Sequence, residues 1–234
     1  AACVLNNWID RDIDRLMART HKRVLANGQI SPKDALAYAV VLGLGGGSLL
    51  LTADNRLSVI IVAGGLAVYA GLDQISLTRQ SASDPLVGSL AGAAPPLAGY
   101  CAVSDQFDAG ALILLSIFAL WQMPHFYGIA LYRKDEYAAA GIPVLPLIKG
   151  SRITKIEIIG YIVVFLLATT TLFVLGAAGY AYLFITLLVG LLGLFFSARG
   201  ARESDSAKET QWAKRVFLFS LVVLLGWVAA LAAA

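Results

Sequence analysis

Apolar stretches of about twenty residues alternate with short charged stretches along nearly the whole chain. The apolar runs fall at 35–51, 56–72, 86–103, 109–131, 156–178, 180–198 and 214–233. Each approaches the ~20 residues with which an α-helix crosses ~30 Å of hydrocarbon. The opening stretch, AACVLNNW, reads as the end of a further apolar helix and lacks an initiator Met, so the chain is read as N-terminally truncated. The pattern predicts an all-α fold: a polytopic transmembrane helical bundle in one domain, 1–234, with seven spans and a partial one. A polar loop runs from about Asp10 to Asp34. It closes on Ser31-Pro32-Lys33-Asp34, a helix start with Ser31 as N-cap and Pro32 in the first helical position.

The distribution of Lys and Arg tests that count. Seventeen of the eighteen fall in alternate connections, at 10–34, 73–85, 132–155 and 199–215, and only Arg56 lies in the others. The positive-inside rule places the four basic connections on the cytoplasmic side, or the matrix side in an organelle. One missed helix would scramble that parity. Only 14% of residues are charged, against about 25% in an average soluble domain. The net charge of +3 is too small to suggest nucleic acid as a partner. Cys3 and Cys101 both lie in apolar segments, which excludes a disulfide framework or a zinc site.

Candidate chemistry concentrates in Asn6 to Arg23, NNWIDRDIDRLMARTHKR. Asn6, Asp10 and Asp14 are spaced four apart, and on a helix they share one face. Two acids and an amide carbonyl on one face suit a hard cation, Mg²⁺ or Ca²⁺; Mg²⁺ takes one or two carboxylates and fills its shell with phosphate oxygens. Arg11, Arg15, Arg19, Lys22 and Arg23 supply positive charge beside it, so the stretch suggests a metal–diphosphate site. The competing reading is a solvated loop whose charges pair with one another. A second acidic cluster, Asp135-Glu136-Tyr137, follows Arg133-Lys134 on the same membrane side, and two such clusters are able to hold two Mg²⁺ ions around one diphosphate; the plainer reading is a surface charge run. Within the spans, His125 stands in Trp121-Gln122-Met123-Pro124-His125-Phe126-Tyr127. Ionisable groups at membrane depth are functional candidates by default, although a lone His is often just a satisfied core residue. Pro95-Pro96 is expected to kink or break its span. Gly45-Gly46-Gly47 and Gly64-Gly65 supply places for close helix approach.

These motifs carry a resemblance. Asn6-x-x-x-Asp10-x-x-x-Asp14 with Met17, Arg19-Thr20 and Arg23 resembles the first Asp-rich motif of the UbiA-type intramembrane prenyltransferases. The full NNWIDRDIDRLMARTHKR, Gly88–Gly99, Trp121–Phe126 and Asp135–Pro146 together resemble the heme O synthase (protoheme IX farnesyltransferase) branch, and the likeness covers nearly the whole chain. It implies a nine-helix bundle around a central cavity, of which this chain would lack the first span and most of the second. It implies transfer of a farnesyl group from farnesyl diphosphate to a vinyl group of heme B, giving heme O after addition of water. It further implies Mg²⁺ as cofactor, held by Asn6, Asp10, Asp14 and Asp135; diphosphate on Arg19, Lys22, Arg23 and Arg79; and heme or the second acidic site at His125, Asp135 and Tyr137. The lipid bilayer, heme B and farnesyl diphosphate are the partners, and association with a heme A synthase or terminal oxidase assembly is implied with them. One loop departs from the pattern: Asp73 stands in an aromatic place and Thr78 in a lysine place, which should weaken diphosphate binding. Alternatives are a UbiA-type enzyme with another aromatic acceptor, a membrane transporter, and a heme-binding subunit. Acids at one membrane face rather than the midplane argue against the transporter, and a chain with only two His argues against the subunit.

Overall fold

The computed structural model describes residues 1–52, 56–71, 84–202 and 205–232. All regular structure in them is helical. A short α1 (Ala2–Ile9) and a single turn α2 (Arg11–Asp14) lead through an irregular loop to α3 (Pro32–Thr52) and α4 (Arg56–Ala67). Then come α5 (Asp84–Ser104), α6 (Ala109–Tyr132), the short α7 (Lys134–Ala139) and α8 (Leu145–Ile148), and finally α9 (Gly150–Val174), α10 (Tyr180–Gly200) and α11 (Ser206–Ala232). Among the described residues, six helices are long and apolar enough to cross a membrane: α3, α5, α6, α9, α10 and α11. The chain is an all-α, multi-pass integral membrane protein.

The expected starts and stops hold at some ends and not at others. Ser31 accepts a hydrogen bond from the Asp34 N–H at 3.1 Å and donates to the Asp34 carboxylate at 2.7 Å, capping α3 as its sequence predicts. The run at 56–72 is helical over Arg56–Gly71, up to the last described residue before 84. Helices α9 and α11 begin at Gly150 and Ser206, well before their apolar runs at 156 and 214. Their polar ends are tied down: Asp205 accepts from the Lys208 N–H at 3.0 Å, capping α11, and Lys155 Nζ lies 2.8 Å from the Glu209 carboxylate. Helix α5 runs unbroken through Pro95 and Pro96, so the expected break does not occur.

Residues Ala1–Phe107 and Asp135–Pro143 form one compact unit, and Asp108–Lys134 and Val144–Ala234 a second. In the first unit α4 packs on α5, and α1 on α3. A Cβ at Gly65 would collide with Ala94, so the glycine sets the α4–α5 spacing. Ser58, buried, ties α4 to α5 by donating to the Ala98 carbonyl at 2.8 Å. Among the described residues, a Cβ at Gly45, Gly46 or Gly47 would meet nothing within 4 Å.

The second unit is a ring of four helices in which α6, α9, α10 and α11 each pack on two neighbours. Its contacts use small residues: Gly128 lies against the backbone of Ala213 and Phe217, Gly190 under Leu166, and Gly200 under the Trp212 ring. Several polar groups in the core are paired, as hydrocarbon favours, although Thr186 Oγ1 is buried with no hydrogen-bond partner among the described residues. Trp227 Nε1 donates to the Tyr182 hydroxyl at 2.8 Å, which donates onward to the Thr169 carbonyl at 2.9 Å, linking α11, α10 and α9. Large aliphatics such as Leu44, Leu167, Leu191 and Leu225 face outward, toward lipid.

Candidate active site

The acidic motif sits where α1 passes into α2. The helical bond pattern continues across the junction: Asp10 N–H donates to the Asn6 carbonyl at 2.9 Å, and Asp14 N–H to the Asp10 carbonyl at 2.8 Å. Asn6, Asp10 and Asp14 therefore do lie in the i, i+4 series that their spacing predicts. Their side chains differ in role. Asn6 Nδ2 donates to Asp10 Oδ2 at 2.7 Å, and both residues are half-buried. Asp14 is 4% exposed and takes both oxygens to one Arg23 nitrogen, at 2.8 and 3.1 Å. The loop that brings Arg23 back is tied down by its own polar groups. Thr20, buried, donates to the Asp14 carbonyl at 3.2 Å, and Arg15 Nε donates to the Ala26 carbonyl at 2.9 Å. Met17, Leu25 and Ala26 are buried beneath it.

The other bases divide in the same way. Arg11 donates to the Trp8 carbonyl at 2.6 Å and stacks over its ring. Arg19 and Lys22 are exposed and form no ion pair among the described residues, which leaves their charge available to an incoming anion. Arg79, Asp73 and Thr78 lie outside the described residues. Asp135 is exposed and Tyr137 half-buried, both on α7, in the same compact unit as Asn6 to Arg23. Among the described residues no three His, Cys, Asp or Glu side chains converge, so the two acidic clusters do not merge into one cage. Asn6 and Asp10 still fit a hard divalent ion in donor chemistry. Mg²⁺ accepts such a pair of oxygen donors when phosphate oxygens complete its shell. Asp14 pairs with Arg23, a contact that the four-residue spacing does not reveal. Replacing Arg23 by Gln leaves a buried carboxylate without its cation. We expect a loss of about 2 kcal/mol in thermal unfolding in detergent, as for removal of a charge-assisted hydrogen bond.

His125 belongs to the second unit, on α6. Its Nδ1 lies 2.8 Å from Ser220 Oγ, and Ser220 Oγ donates to the Phe217 carbonyl at 2.6 Å. A hydroxyl has one proton to give. With that proton on Phe217, Ser220 must accept from His125, which places the imidazole hydrogen on Nδ1 and leaves Nε2 with a bare lone pair. Among the described residues no hydrogen bond reaches Nε2. The ring is stacked on Trp121 at 5.1 Å and flanked by Phe217 at 4.8 Å, while Trp121 Nε1 donates to the Ser220 carbonyl at 2.7 Å. Ser220, 95 residues away in sequence, is the hydrogen-bond partner of His125 that sequence reasoning misses. Ser220→Ala should unlock the tautomer at a cost of about 1 kcal/mol. The check is a double-mutant cycle with His125→Phe, whose coupling energy should be about 1 kcal/mol; a coupling near zero would mean that the two side chains act independently.

The model of the UbiA prenyltransferase family matches residues 1–222. The chain belongs to the UbiA prenyltransferase family. The fold agrees: an apo UbiA homolog from Aeropyrum pernix K1 superposes with a TM-score of 0.71 at 16% identity, covering 97% of this chain and 83% of that one. A structure described for digeranylgeranylglyceryl phosphate synthase gives a TM-score of 0.74 at 18% identity, covering all of this chain and 81% of its own. Among curated relatives, proteins named protoheme IX farnesyltransferase are much closer in sequence. The one from Yersinia pseudotuberculosis (serotype O:1b, strain IP 31758) is 48% identical over 224 residues, 96% of this chain and 75% of that protein. Those from Edwardsiella ictaluri and Sodalis glossinidius are each 49% identical, with the same coverage. In this UbiA member the Asp10 face and the Arg23-braced loop are therefore parts of a prenyltransferase.

Proposed function

We propose that this UbiA member transfers a farnesyl group from farnesyl diphosphate to a vinyl group of heme B, yielding heme O and diphosphate. The observation that carries the reading is 48–49% identity, over 96% of the chain, to proteins bearing the name protoheme IX farnesyltransferase. The arrangement of side chains is consistent with it. Ionisation of the allylic diphosphate breaks a C–O bond, leaving the electron pair on oxygen and a cation on carbon. Asn6 and Asp10 would hold Mg²⁺, which supplies positive charge to the leaving diphosphate. Arg19 and Lys22 face the same anion as fixed charges, and Arg23 keeps Asp14 and the loop in place beneath it. The vinyl carbon then bonds to the farnesyl carbon, and water adds to the resulting cation, returning a proton to solvent. No side-chain nucleophile is required.

His125 is proposed as the heme-facing group, its Nε2 lone pair offered to the iron while Ser220 fixes the other nitrogen. Asp135 and Tyr137 are proposed as the second acidic site on α7. We place the protein in the bacterial plasma membrane with the 10–34 and 132–155 connections cytoplasmic, on the strength of the Lys and Arg asymmetry. The product then passes to a heme A synthase or to terminal oxidase assembly. The test is prenyl transfer by the chain in membranes or detergent with heme B, farnesyl diphosphate and Mg²⁺, read by mass spectrometry of the pigments. Heme O formed only with Mg²⁺ supports the reading. Prenylation of a hydroxybenzoate or chlorin acceptor, with heme B untouched, would overturn the choice of acceptor.

A further inference from the structure

The four-helix unit encloses a cavity of about 580 Å³. Its walls come from all four helices and are chiefly apolar, with Trp121, Phe165 and Val223 among them. Arg199 and Arg215 also line it, and both are exposed. Both stand at the end of the unit where α10 gives way to α11. Arg199 lies over the Phe195 ring at 5.0 Å, and neither arginine has a carboxylate partner among the described residues. The contrast with Lys155 at the same end is direct, because that cation is neutralised by Glu209.

The cavity has a direction. From Arg199 it follows α10 down to Gly190, and from Arg215 it follows α11 down to Val223. At 1.5 Å per residue these paths are about 12–14 Å long, roughly half of the ~30 Å hydrocarbon thickness and so about one leaflet. An apolar slot one leaflet deep, with two guanidinium groups at its polar end that pair with no carboxylate among the described residues, matches an amphiphile with an anionic head and an aliphatic tail. Guanidinium groups bind phosphate oxygens in a bidentate fork, and the surrounding bilayer supplies such molecules at high local concentration.

We infer that this cavity is a binding site for one anionic phospholipid of the membrane, its phosphate on Arg199 and Arg215 and one acyl chain between α10 and α11. The inference does not depend on which acceptor the enzyme prenylates. Native mass spectrometry of the purified, delipidated chain, titrated with phosphatidylglycerol or phosphatidylcholine, tests it. One phosphatidylglycerol should bind in preference to phosphatidylcholine. The double variant R199Q/R215Q should weaken that binding about thirtyfold, the effect of two cations near a membrane surface, and leave phosphatidylcholine binding unchanged. Val222→Trp, which fills the slot from its lipid-facing side, should abolish retention in a chain that keeps its arginines. Should it fail to fold, Val223→Phe serves the same purpose. Equal binding of both lipids, or no effect of the arginine changes, would overturn the inference. So would one-for-one displacement of the lipid by heme B or farnesyl diphosphate, which would assign the cavity to a substrate. Competition by inorganic phosphate at matching affinity would reduce it to an anion site without a chain.

Discussion

Asp10→Asn is expected to lower the rate of prenyl transfer about a thousandfold, roughly 4 kcal/mol in the barrier, while leaving the melting midpoint unchanged. The substitution keeps a side-chain oxygen where Asn6 Nδ2 now donates to Asp10 Oδ2 at 2.7 Å. It removes only the negative charge. If that charge holds the cation that neutralises the departing diphosphate, the loss falls on the transition state, where charge separation is greatest, and kcat should drop more than KM rises. Asp14→Asn supplies the contrast. It breaks the carboxylate pairing with Arg23 in a site only 4% exposed, so it should lower the melting midpoint as well as the rate. A turnover within tenfold of the parent for Asp10→Asn, at saturating Mg²⁺, would show that the acidic face is structural and that the diphosphate is handled elsewhere.

Lys155→Met should be the most destabilising single change at the end of the second unit, costing about 3–5 kcal/mol in denaturant unfolding. The Lys155 side chain is only 5% exposed, and that of its partner Glu209, 2.8 Å away, is 17% exposed. Methionine keeps much of the stem that packs near Trp212, whose ring centroid lies 5.5 Å from Nζ. What it removes is the cation, and the penalty comes from the carboxylate left behind in a half-dry environment. The double variant Lys155→Met/Glu209→Gln should therefore recover most of the loss, since it removes both charges together. A single variant as stable as the parent would mean that water reaches Glu209 freely and that the first turns of α9 and α11 hold by packing alone.

These two predictions mark where the sequence was legible and where it was not. The apolar runs placed all six long helices, because hydrocarbon thickness imposes length directly on composition. The Asn6, Asp10 and Asp14 series was equally readable, since it depends only on helical periodicity. The N-terminal ends of α9 and α11 were not. Lys155 and Glu209 read as loop charges when met singly, and their pairing across 54 residues of chain joins the two helix ends. The pairing of Arg23 with Asp14, nine residues apart, is made by the fold of the intervening loop and has no local signature. The tautomer of His125 depends on Ser220 and on the carbonyl that Ser220 chooses, a relation made by tertiary packing alone. The glycine run at 45–47 permits a close neighbour without requiring one, and among the described residues none is there.

The hydrogen bonds among Thr169, Tyr182 and Trp227 also imply an order of assembly. Helices α9 and α10 are joined by only residues 175–179, with Gly176 in the left-handed region at φ 72° turning the chain. The bond from the Tyr182 hydroxyl to the Thr169 carbonyl lies near that turn and is complete once α10 has left the ribosome. The pair is thus a helical hairpin able to enter the bilayer already latched, before the segment that follows has been translated. Trp227, 45 residues beyond Tyr182, then arrives at a hydroxyl whose proton is already committed and whose lone pair faces the incoming indole. Synthesis direction and bond direction agree. The last helix docks onto an acceptor made ready by the two before it.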